Sequence, residues 1–326
     1  MTALLSVRDL TVAIGRAHPV DGIDLDVAPG EMLGIVGESG SGKSLTLRAI
    51  LRLLPATTAT TTGRVAWQGT DLLTLPEPAM RKIRGAEIAM VFQEPMTALN
   101  PVLTIGLQIT ETLAAHQGLR GRAATDRAAA LLDQVGIPDA YRRLSNYPHE
   151  FSGGMRQRAM IAAALAGGPK LLLADEPTTA LDVTIQDQIL KLLLRLKDEL
   201  AMSVVIVTHD LGIVAGTCDR VAVLYAGRVM ESGPVEAIFA RPAHAYTLGL
   251  LRSLPGTTHA RTRLDGIPGT PPDPRALPPG CRFAPRCSFA IDACRAADPP
   301  LVAIGPGRVS ACVRADAVQN EIPFAA

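Results

Sequence analysis

The sequence predicts an α/β protein built on a parallel sheet, because it contains three short apolar segments and the last two lie on either side of an amphipathic segment. The apolar segments are Met32–Val36, 170–174 and Ser203–Thr208. Continuous apolar strands of this kind are typical of a parallel sheet that is buried on both faces. Residues 182–200 carry isoleucine and leucine at helical spacing. That face consists of Ile185, Ile189, Leu192, Leu196 and Leu200. Strand, helix and strand predict a right-handed βαβ unit with its chemistry at the carboxyl ends of the strands.

Length and charge narrow the class of protein. A chain of 326 residues has room for about two domains. Its 32 Lys and Arg residues nearly balance 31 Asp and Glu residues, which excludes the strong basic field of many nucleic-acid-binding proteins. The apolar runs are shorter than the ~20 residues that span a bilayer, and no signal peptide is visible. We therefore expect a soluble, cytoplasmic chain without a nucleic-acid partner.

Composition changes near residue 255, where proline becomes frequent. Seven prolines lie between positions 268 and 285, too many for a helix or an inner strand. Four of the five cysteines also lie after residue 255, between positions 281 and 312. We predict one α/β domain over residues 1–255 and a small, cysteine-rich appendage over residues 256–326.

Residues 37–44 match the P-loop pattern, follow the first apolar strand and open a helix-forming segment. The loop consists of Gly37, Glu38, Ser39, Gly40, Ser41, Gly42, Lys43 and Ser44. Its glycines let backbone N–H groups turn toward phosphate oxygens, and the helix N-terminus adds partial positive charge. Lys43 is expected to reach the β- and γ-phosphates, and the Ser44 hydroxyl to ligate Mg²⁺. A glycine-rich turn that binds nothing is the weaker alternative, because strand, loop and helix stand in register.

Two carboxylates follow the second apolar strand. Asp175, the first residue beyond the predicted strand, is placed to hold Mg²⁺ directly or through water. Glu176 can orient or deprotonate the attacking water. A solvated acidic turn is the alternative, and the P-loop about 130 residues earlier disfavours it.

A second anion-binding helix start is predicted at residues 151–155. Ser152 is a good N-cap, and Gly153 and Gly154 leave backbone N–H groups uncovered. Because one triphosphate already has its P-loop, the simplest use of this terminus is on the γ-phosphate bound by another subunit. On the residues alone, a capped helix start with no ligand remains an equal alternative.

In sequence, the chain resembles the ATPase subunit of an ABC transporter over nearly its whole length. The motifs that carry the resemblance are the Walker A loop at 37–44, the Q-loop glutamine Gln93, the signature at 151–155, the Walker B end at Asp175 and Glu176, the D-loop at 180–182 and the H-loop residue His209. The resemblance implies a P-loop NTPase with a RecA-like core, an antiparallel β subdomain and a helical subdomain at about 94–165.

The resemblance also implies roles for individual residues. Two ATPase domains would close head to tail, with ATP between the Walker A loop of one and residues 152–154 of the other, and Asp182 would join the nucleotide site. Gln93 would sense the γ-phosphate and Mg²⁺, and His209 would hold Glu176 and water in place. Ile14 stands where the family usually has an aromatic ring against adenine, so we expect adenine stacking that is weaker or is supplied by another residue.

A finer resemblance, to the dipeptide-type ATPase of the dipeptide/oligopeptide importers, rests on residues 91–101, 149–158, 174–186 and 223–255. It implies that the chain drives peptide import and lies at the cytoplasmic face of the membrane. The implied partners are two permease subunits, a second and different ATPase subunit, and an extracytoplasmic substrate-binding protein. Nickel, glutathione and oligosaccharide importers share much of this sequence, so the cargo stays open. A soluble ABC ATPase acting on ribosomes or DNA is disfavoured by the single core and near-zero charge.

Cys281, Cys287, Cys294 and Cys312 are candidate metal ligands. No CxxC pair occurs among them, which argues against common zinc ribbons. Four cytosolic thiolates can hold zinc or a 4Fe–4S cluster, and a reducing compartment disfavours disulfides. The resemblance favours the cluster, since some peptide importers ligate one with a similar quartet; zinc, free thiols and a redox-sensing role stay open. The neighbouring arginines Arg282, Arg286 and Arg295 would offset the cluster charge, and scattered surface arginines are nearly as good an explanation for them.

Overall fold

The computed structural model describes residues 3–179, 181–254 and 266–321. The chain divides into two compact units: the first comprises Met1–Leu73 with Thr208–Ala326, and the second comprises Thr74–Val207. The boundary that we predicted between residues 255 and 256 lies outside the described residues, and so does Ala180 of the predicted D-loop. Each unit is described by itself below.

The structure contains strands and helices at the following bounds. The strands are β1 (Leu5–Ile14), β2 (Ala17–Val27), β3 (Met32–Val36), β4 (Thr60–Trp67), β5 (Thr70–Asp71), β6 (Ile88–Val91), β7 (Leu171–Asp175), β8 (Ser203–Thr208), β9 (Arg220–Tyr225), β10 (Arg228–Pro234), β11 (Val302–Gly305) and β12 (Arg308–Ser310). The helices are α1 (Lys43–Ile50), α2 (Glu77–Ile83), α3 (Pro95–Ala98), α4 (Ile105–Gln117), α5 (Gly121–Gln134), α6 (Ala140–Arg143), α7 (Gly153–Leu165), α8 (Val183–Glu199), α9 (Leu211–Thr217), α10 (Val235–Ala240), α11 (Ala245–Arg252), α12 (Asp292–Ala296) and α13 (Ala315–Gln319), with 3-10 turns at Pro148–Glu150 and Ala284–Arg286.

The first unit contains two sets of paired strands. An antiparallel sheet has the order β2-β1-β4-β5, with Leu5 opposite both Val27 and Trp67. A second set runs β11-β12-β10-β9-β3, in which β3 lies parallel to β9 and the other neighbours are antiparallel. The apolar strand predicted at Met32–Val36 is confirmed, and all five of its residues are buried. The parallel pairing places the end of β3, where the phosphate loop begins, beside the end of β9.

The C-terminal region is built into the first unit by strand pairing and by a shared core. Strand β12 pairs with β10, with Ser310 opposite Glu231. Phe283 packs its ring against Tyr225 and Tyr246, at centroid distances of 5.4 and 5.3 Å. A region this small gains stability by adding its apolar side chains to an existing core. The prediction of a separate cysteine-rich appendage is therefore not confirmed.

The second unit carries the predicted βαβ segment. Its parallel strands have the order β8-β7-β6, with Leu171 opposite both Ser203 and Ile88. Helix α8 connects β7 to β8 and buries Ile189, Leu192, Leu193 and Leu196. The predicted helical face is confirmed over these turns. Leu200, which we also placed on that face, is the residue after the helix and is exposed. The second strand also ends one residue later than predicted, so that Asp175 is its last residue.

Helices α4, α5 and α7 pack on one another in the second unit. Thr104 caps α4 by accepting a hydrogen bond from the Leu107 N–H, and Gly118 ends the helix in the left-handed conformation. Across the described ranges, every helix is too short or too polar to cross a membrane. These helices lie within the segment at about 94–165 that we predicted to be a helical subdomain.

Candidate functional site

The phosphate loop of the first unit has a shape that requires glycine. Gly42 adopts φ +99°, and a Cβ there would lie 2.3 Å from the Pro19 carbonyl oxygen. A Cβ on Gly37 would lie 2.1 Å from the Leu224 carbonyl oxygen. Both distances are far below van der Waals contact, so no side chain fits at either position. The glycines therefore let the backbone pass close to its neighbours and turn directly into α1.

Lys43 folds back over this loop. Its side chain is buried, and its Nζ donates hydrogen bonds to the carbonyl oxygens of Gly37, at 2.7 Å, and Glu38, at 2.9 Å. Lys43 is also the first residue of α1, so the positive end of the helix and the ammonium group lie at one place. A glycine loop, a helix N-terminus and a buried lysine together form a site for a phosphate group.

The second unit brings Gln93 and Glu176 together. The Gln93 Nε2 donates to Glu176 Oε2 at 3.2 Å, and the Thr179 hydroxyl donates to the same oxygen at 2.7 Å. Glu176 adopts φ +44°, a left-handed conformation that costs about 1–3 kcal/mol for a residue with a Cβ. Asp175 precedes it as a fully buried strand end. The two hydrogen bonds fix the direction of a carboxylate that a turn would otherwise leave mobile.

The predicted signature lies against the start of α8 in the second unit. Ser152 caps α7, and its hydroxyl accepts from the Met155 N–H at 3.3 Å. A Cβ on Gly154 would lie 2.9 Å from Ile185 Cγ2, so any larger residue there would force the Ile185 side chain to shift. Asp182 caps α8 by accepting from the Ile185 N–H at 3.0 Å. Ser152, Gly153 and Asp182 are exposed, which leaves this surface available to a partner.

Two further predicted residues lie in the first unit. His209 follows β8 directly and is exposed. Ile14 lies at the end of β1, opposite Ala17, and is also exposed. Neither position contradicts the predicted role, and the roles stay predictions.

Comparison with known proteins identifies the family. The family model described as "ABC transporter" matches residues 20–179, and the one described as "Oligopeptide/dipeptide transporter, C-terminal region" matches residues 230–294. A putative peptide import ATP-binding protein of Brucella abortus (strain 2308) is 53% identical over 313 residues, covering 95% of this chain and 94% of the relative. The chain belongs to the ABC transporter family of ATP-binding proteins.

Other relatives and solved structures agree with this membership. A probable peptide ABC transporter ATP-binding protein of Sinorhizobium fredii (strain NBRC 101917 / NGR234) is 53% identical and covers 97% of this chain and 96% of its own. The cbiO1 structure from Clostridium perfringens has a TM-score of 0.63 at 29% identity, covering 73% of this chain and 91% of its own. The cassette MJ0796, solved as a dimer with ADP and Pi, has a TM-score of 0.63 at 31% identity over 71% and 98%. The predicted ABC ATPase fold is confirmed, and ATP and Mg²⁺ are the ligands expected of this ATPase.

The four C-terminal cysteines of this ABC ATPase lie in one packed part of the first unit. Cys281 and Cys294 belong to its core, and Cys287 and Cys312 pack against it. Burial raises the pKa of the Cys281, Cys287 and Cys312 thiols. Electrostatic repulsion from another of the four cysteines also raises each of these pKa values. However, within residues 3–179, 181–254 and 266–321, no three His, Cys, Asp or Glu side chains form a group that could hold a metal ion. The predicted cluster site is therefore not confirmed.

Contacts around the ABC ATPase phosphate loop include residues that sequence reasoning assigned differently. Arg282 and Arg286, which we predicted would offset a cluster's charge, form ion pairs with Asp21 and Glu38. Tyr246 was not predicted at all, although its hydroxyl accepts from the Glu38 N–H at 2.8 Å. No local signal could have found these pairs, because the partners are more than 200 residues apart.

Proposed function

We propose that this chain is the ATPase subunit that drives import of dipeptides and oligopeptides through separate membrane permease subunits. The observation that carries the ATPase part is the phosphate loop, where Lys43 is buried over a glycine turn at the start of α1. The cargo rests on the match of residues 230–294 and on relatives that are named for peptide import. Nickel, glutathione and oligosaccharide remain the alternative cargoes.

Residues 37–44 hold the triphosphate in this proposal. The backbone N–H groups of the loop and the start of α1 face the phosphate oxygens, and Lys43 exchanges carbonyl partners for the β- and γ-phosphates. Ser44, Asp175 and Gln93 would supply the hydroxyl, carboxylate and amide oxygens that suit Mg²⁺. When bound, Mg²⁺ neutralises charge that develops on the phosphate oxygens. The donor set fits this hard cation, which prefers oxygen ligands.

Glu176 is the residue that we assign to the attacking water. Water forms a new bond to the γ-phosphorus while the bond between that phosphorus and the bridging oxygen breaks, so that ADP and phosphate result. Glu176 would orient the water and accept its proton, and the resemblance gives His209 the role of holding both groups. Gln93 and Thr179 support this role because they aim Glu176 Oε2. The Glu176 backbone has φ +44°, a strained conformation for a residue with a Cβ. Strain of this kind is common at functional sites, which supports a functional role for Glu176.

A second ATPase subunit completes the site in this proposal. The exposed helix start at Ser152–Gly154 would bind the γ-phosphate held by the partner, and Asp182 would contact it beside the signature. We propose a related but different subunit as the partner, giving a heterodimer at the cytoplasmic face of the membrane, with an extracytoplasmic substrate-binding protein delivering the cargo.

The experiment that tests the cargo uses the assembled complex. The two permease subunits, both ATPase subunits and the binding protein are purified together in lipid, and ATP hydrolysis is measured with peptides, nickel, glutathione and oligosaccharides. Stimulation by di- or oligopeptides supports the proposal. Stimulation by one of the other compounds alone would assign the motor to that cargo.

We also propose that Cys281, Cys287, Cys294 and Cys312 hold a 4Fe–4S cluster. The support is that all four lie in one packed region and that backbone N–H groups already donate to three of the thiols. Such hydrogen bonds stabilise thiolate over thiol. Because the thiols do not form a ready metal site, cluster binding requires their side chains to turn toward one another.

Anaerobic purification tests the cluster. Brown protein with iron and acid-labile sulfide in equal amounts is the expected result. Colourless protein with stoichiometric zinc, or with no metal, would reject the cluster and leave zinc or free thiols.

A further inference from the structure

Two arginines of one short segment reach the phosphate loop of the first unit. The segment Cys281–Cys287, which we call the clasp, carries Arg282 and Arg286 on either side of Phe283. Arg286 Nη1 donates to Glu38 Oε2 at 2.6 Å, and Nη2 donates to Glu38 Oε1 at 3.0 Å. This two-bond geometry fixes both distance and orientation, as a single ammonium cannot. Glu38 is the second residue of the phosphate loop, so the clasp holds the loop at its first turn.

The Arg286 side chain is itself immobilised. It is only 5% exposed, and its Nε donates to the Pro268 carbonyl oxygen at 2.8 Å. Its Nη1 also donates to the Tyr225 hydroxyl at 3.2 Å. The guanidinium lies over the rings of Tyr225 and Phe283, 5.7 and 5.8 Å from their centroids. An arginine held from so many directions loses little further freedom when it pairs, so it can position its carboxylate partner firmly.

The backbone of Glu38 is held as well as its side chain. Its N–H donates to the Tyr246 hydroxyl at 2.8 Å, and Tyr246 packs its ring against Phe283 of the clasp. Its carbonyl oxygen accepts from Lys43 Nζ. The first turn of the loop is thereby fixed at three groups of one residue, while Glu38 itself stays partly exposed.

Arg282 holds the other side of the loop. It donates to the Ala226 carbonyl oxygen and to the Asp21 carboxylate. The next residue, Gly227, donates its N–H to the Ser41 carbonyl oxygen at 3.0 Å and accepts from the Asp21 N–H at 2.9 Å. The clasp therefore reaches the loop at Glu38 directly and at Ser41 through the turn at Gly227.

We propose that the clasp positions the phosphate loop for ATP binding, with Arg286 acting through Glu38 as the main positioning residue. A loop already held in its binding shape loses less conformational freedom when the phosphates arrive, and affinity rises accordingly. Arg286 does not contact nucleotide in this proposal. The inference rests on the assignment of residues 37–44 as the ATP phosphate site, and it gives the C-terminal region a function in nucleotide binding.

Variants of the full-length chain test the proposal through ATP affinity. Arg286→Ala should weaken Mg·ATP binding about 10-fold, equivalent to about 1.4 kcal/mol. Arg286→Lys, which keeps the charge and loses the paired geometry, should fall between Arg286→Ala and the wild type. Arg275→Ala is the matched control, because Arg275 forms an exposed ion pair with Asp273 at 2.8 Å in the same region. The control should bind ATP as the wild type does. Unfolding midpoints without nucleotide are measured in parallel.

A double-variant cycle separates positioning from a purely structural role. If Arg286 acts through Glu38, the pair Glu38→Gln with Arg286→Ala should bind ATP no more weakly than Arg286→Ala alone. Effects that multiply would overturn the proposal. If Arg286→Ala does not fold, Arg286→Lys and Glu38→Gln decide the matter, and unchanged ATP affinity in both overturns it. Lys43→Ala, measured beside them, separates failure of the phosphate site from failure of the positioning proposal. Unchanged ATP affinity in Lys43→Ala rejects the assignment of residues 37–44 to phosphate. Weaker ATP binding in Lys43→Ala, with wild-type affinity in Arg286→Ala, rejects only the positioning by Arg286.

Discussion

Replacement of Lys43 by alanine is the sharpest test of the phosphate site. The Lys43 ammonium donates to two carbonyl oxygens of the loop at 2.7 and 2.9 Å. Phosphate oxygens must therefore compete with existing hydrogen bonds, and the gain on binding is smaller than two new charged bonds would give. A hydrogen bond to a charged group contributes about 1.5–3 kcal/mol, so we expect ATP affinity to fall about 10- to 150-fold.

Binding of Mg·ATP to the purified chain, by calorimetry or displacement of a fluorescent analogue, measures this effect. Lys191→Ala is the control, because Lys191 is an exposed lysine paired with Asp187 at 2.7 Å on α8. An exposed pair of this kind contributes little, and the control should bind ATP normally. Affinity within twofold of the wild type in Lys43→Ala, with a normal unfolding midpoint, would refute the assignment of this loop to phosphate.

Two further predictions concern catalysis and acid stability. Glu176→Gln should retain ATP binding but lose nearly all steady-state turnover in the assembled complex, because the amide cannot accept a proton from water; turnover near the wild-type rate would remove Glu176 from its role. Full burial lowers the pKa of His244 to about 4, so the folded chain keeps this imidazole neutral while the unfolded chain protonates it near its usual pKa of about 6.5. The stability that this difference contributes is present above about pH 6.5 and is lost as the pH falls toward about 4, by up to about 3 kcal/mol. Urea unfolding of wild type and His244→Gln should show a steeper loss over that interval in the wild type, and equal slopes would contradict it.

Local stereochemistry explains why the sequence predicted the phosphate loop so closely. Gly42 is required by its φ of +99° and by the nearby Pro19 oxygen, and such a requirement is visible in the sequence as a glycine at the position that the P-loop pattern specifies. The apolar segments at Met32–Val36 and Ser203–Thr208 were found for a similar reason, because a strand buried on both faces must be apolar throughout. The predicted ends of the strands and helices were wrong by only about one residue. Asp175 is the last residue of its strand, and Leu200 lies just beyond its helix.

The cysteine region shows which contacts the sequence alone does not indicate. Its composition predicted a small appendage, with arginines that would offset the charge of a cluster. In the structure, β12 pairs with β10, and Arg286 pairs with a carboxylate 248 residues earlier in the chain. Spacing along the chain carries no information about such a partner, since any of the 31 acidic residues could have met this arginine.

By itself, the sequence determined the class of fold, and it predicted the residues of the phosphate loop, the Walker B end and the signature, because each of these motifs depends on short-range geometry. Only the tertiary structure decided what holds those residues in place. Gln93 meets Glu176 across 83 residues, and Arg286 meets Glu38 across 248. These contacts exist because packing of the strands and of the aromatic core brings distant segments together. A charged or polar group that is buried by this packing needs a hydrogen-bonding partner.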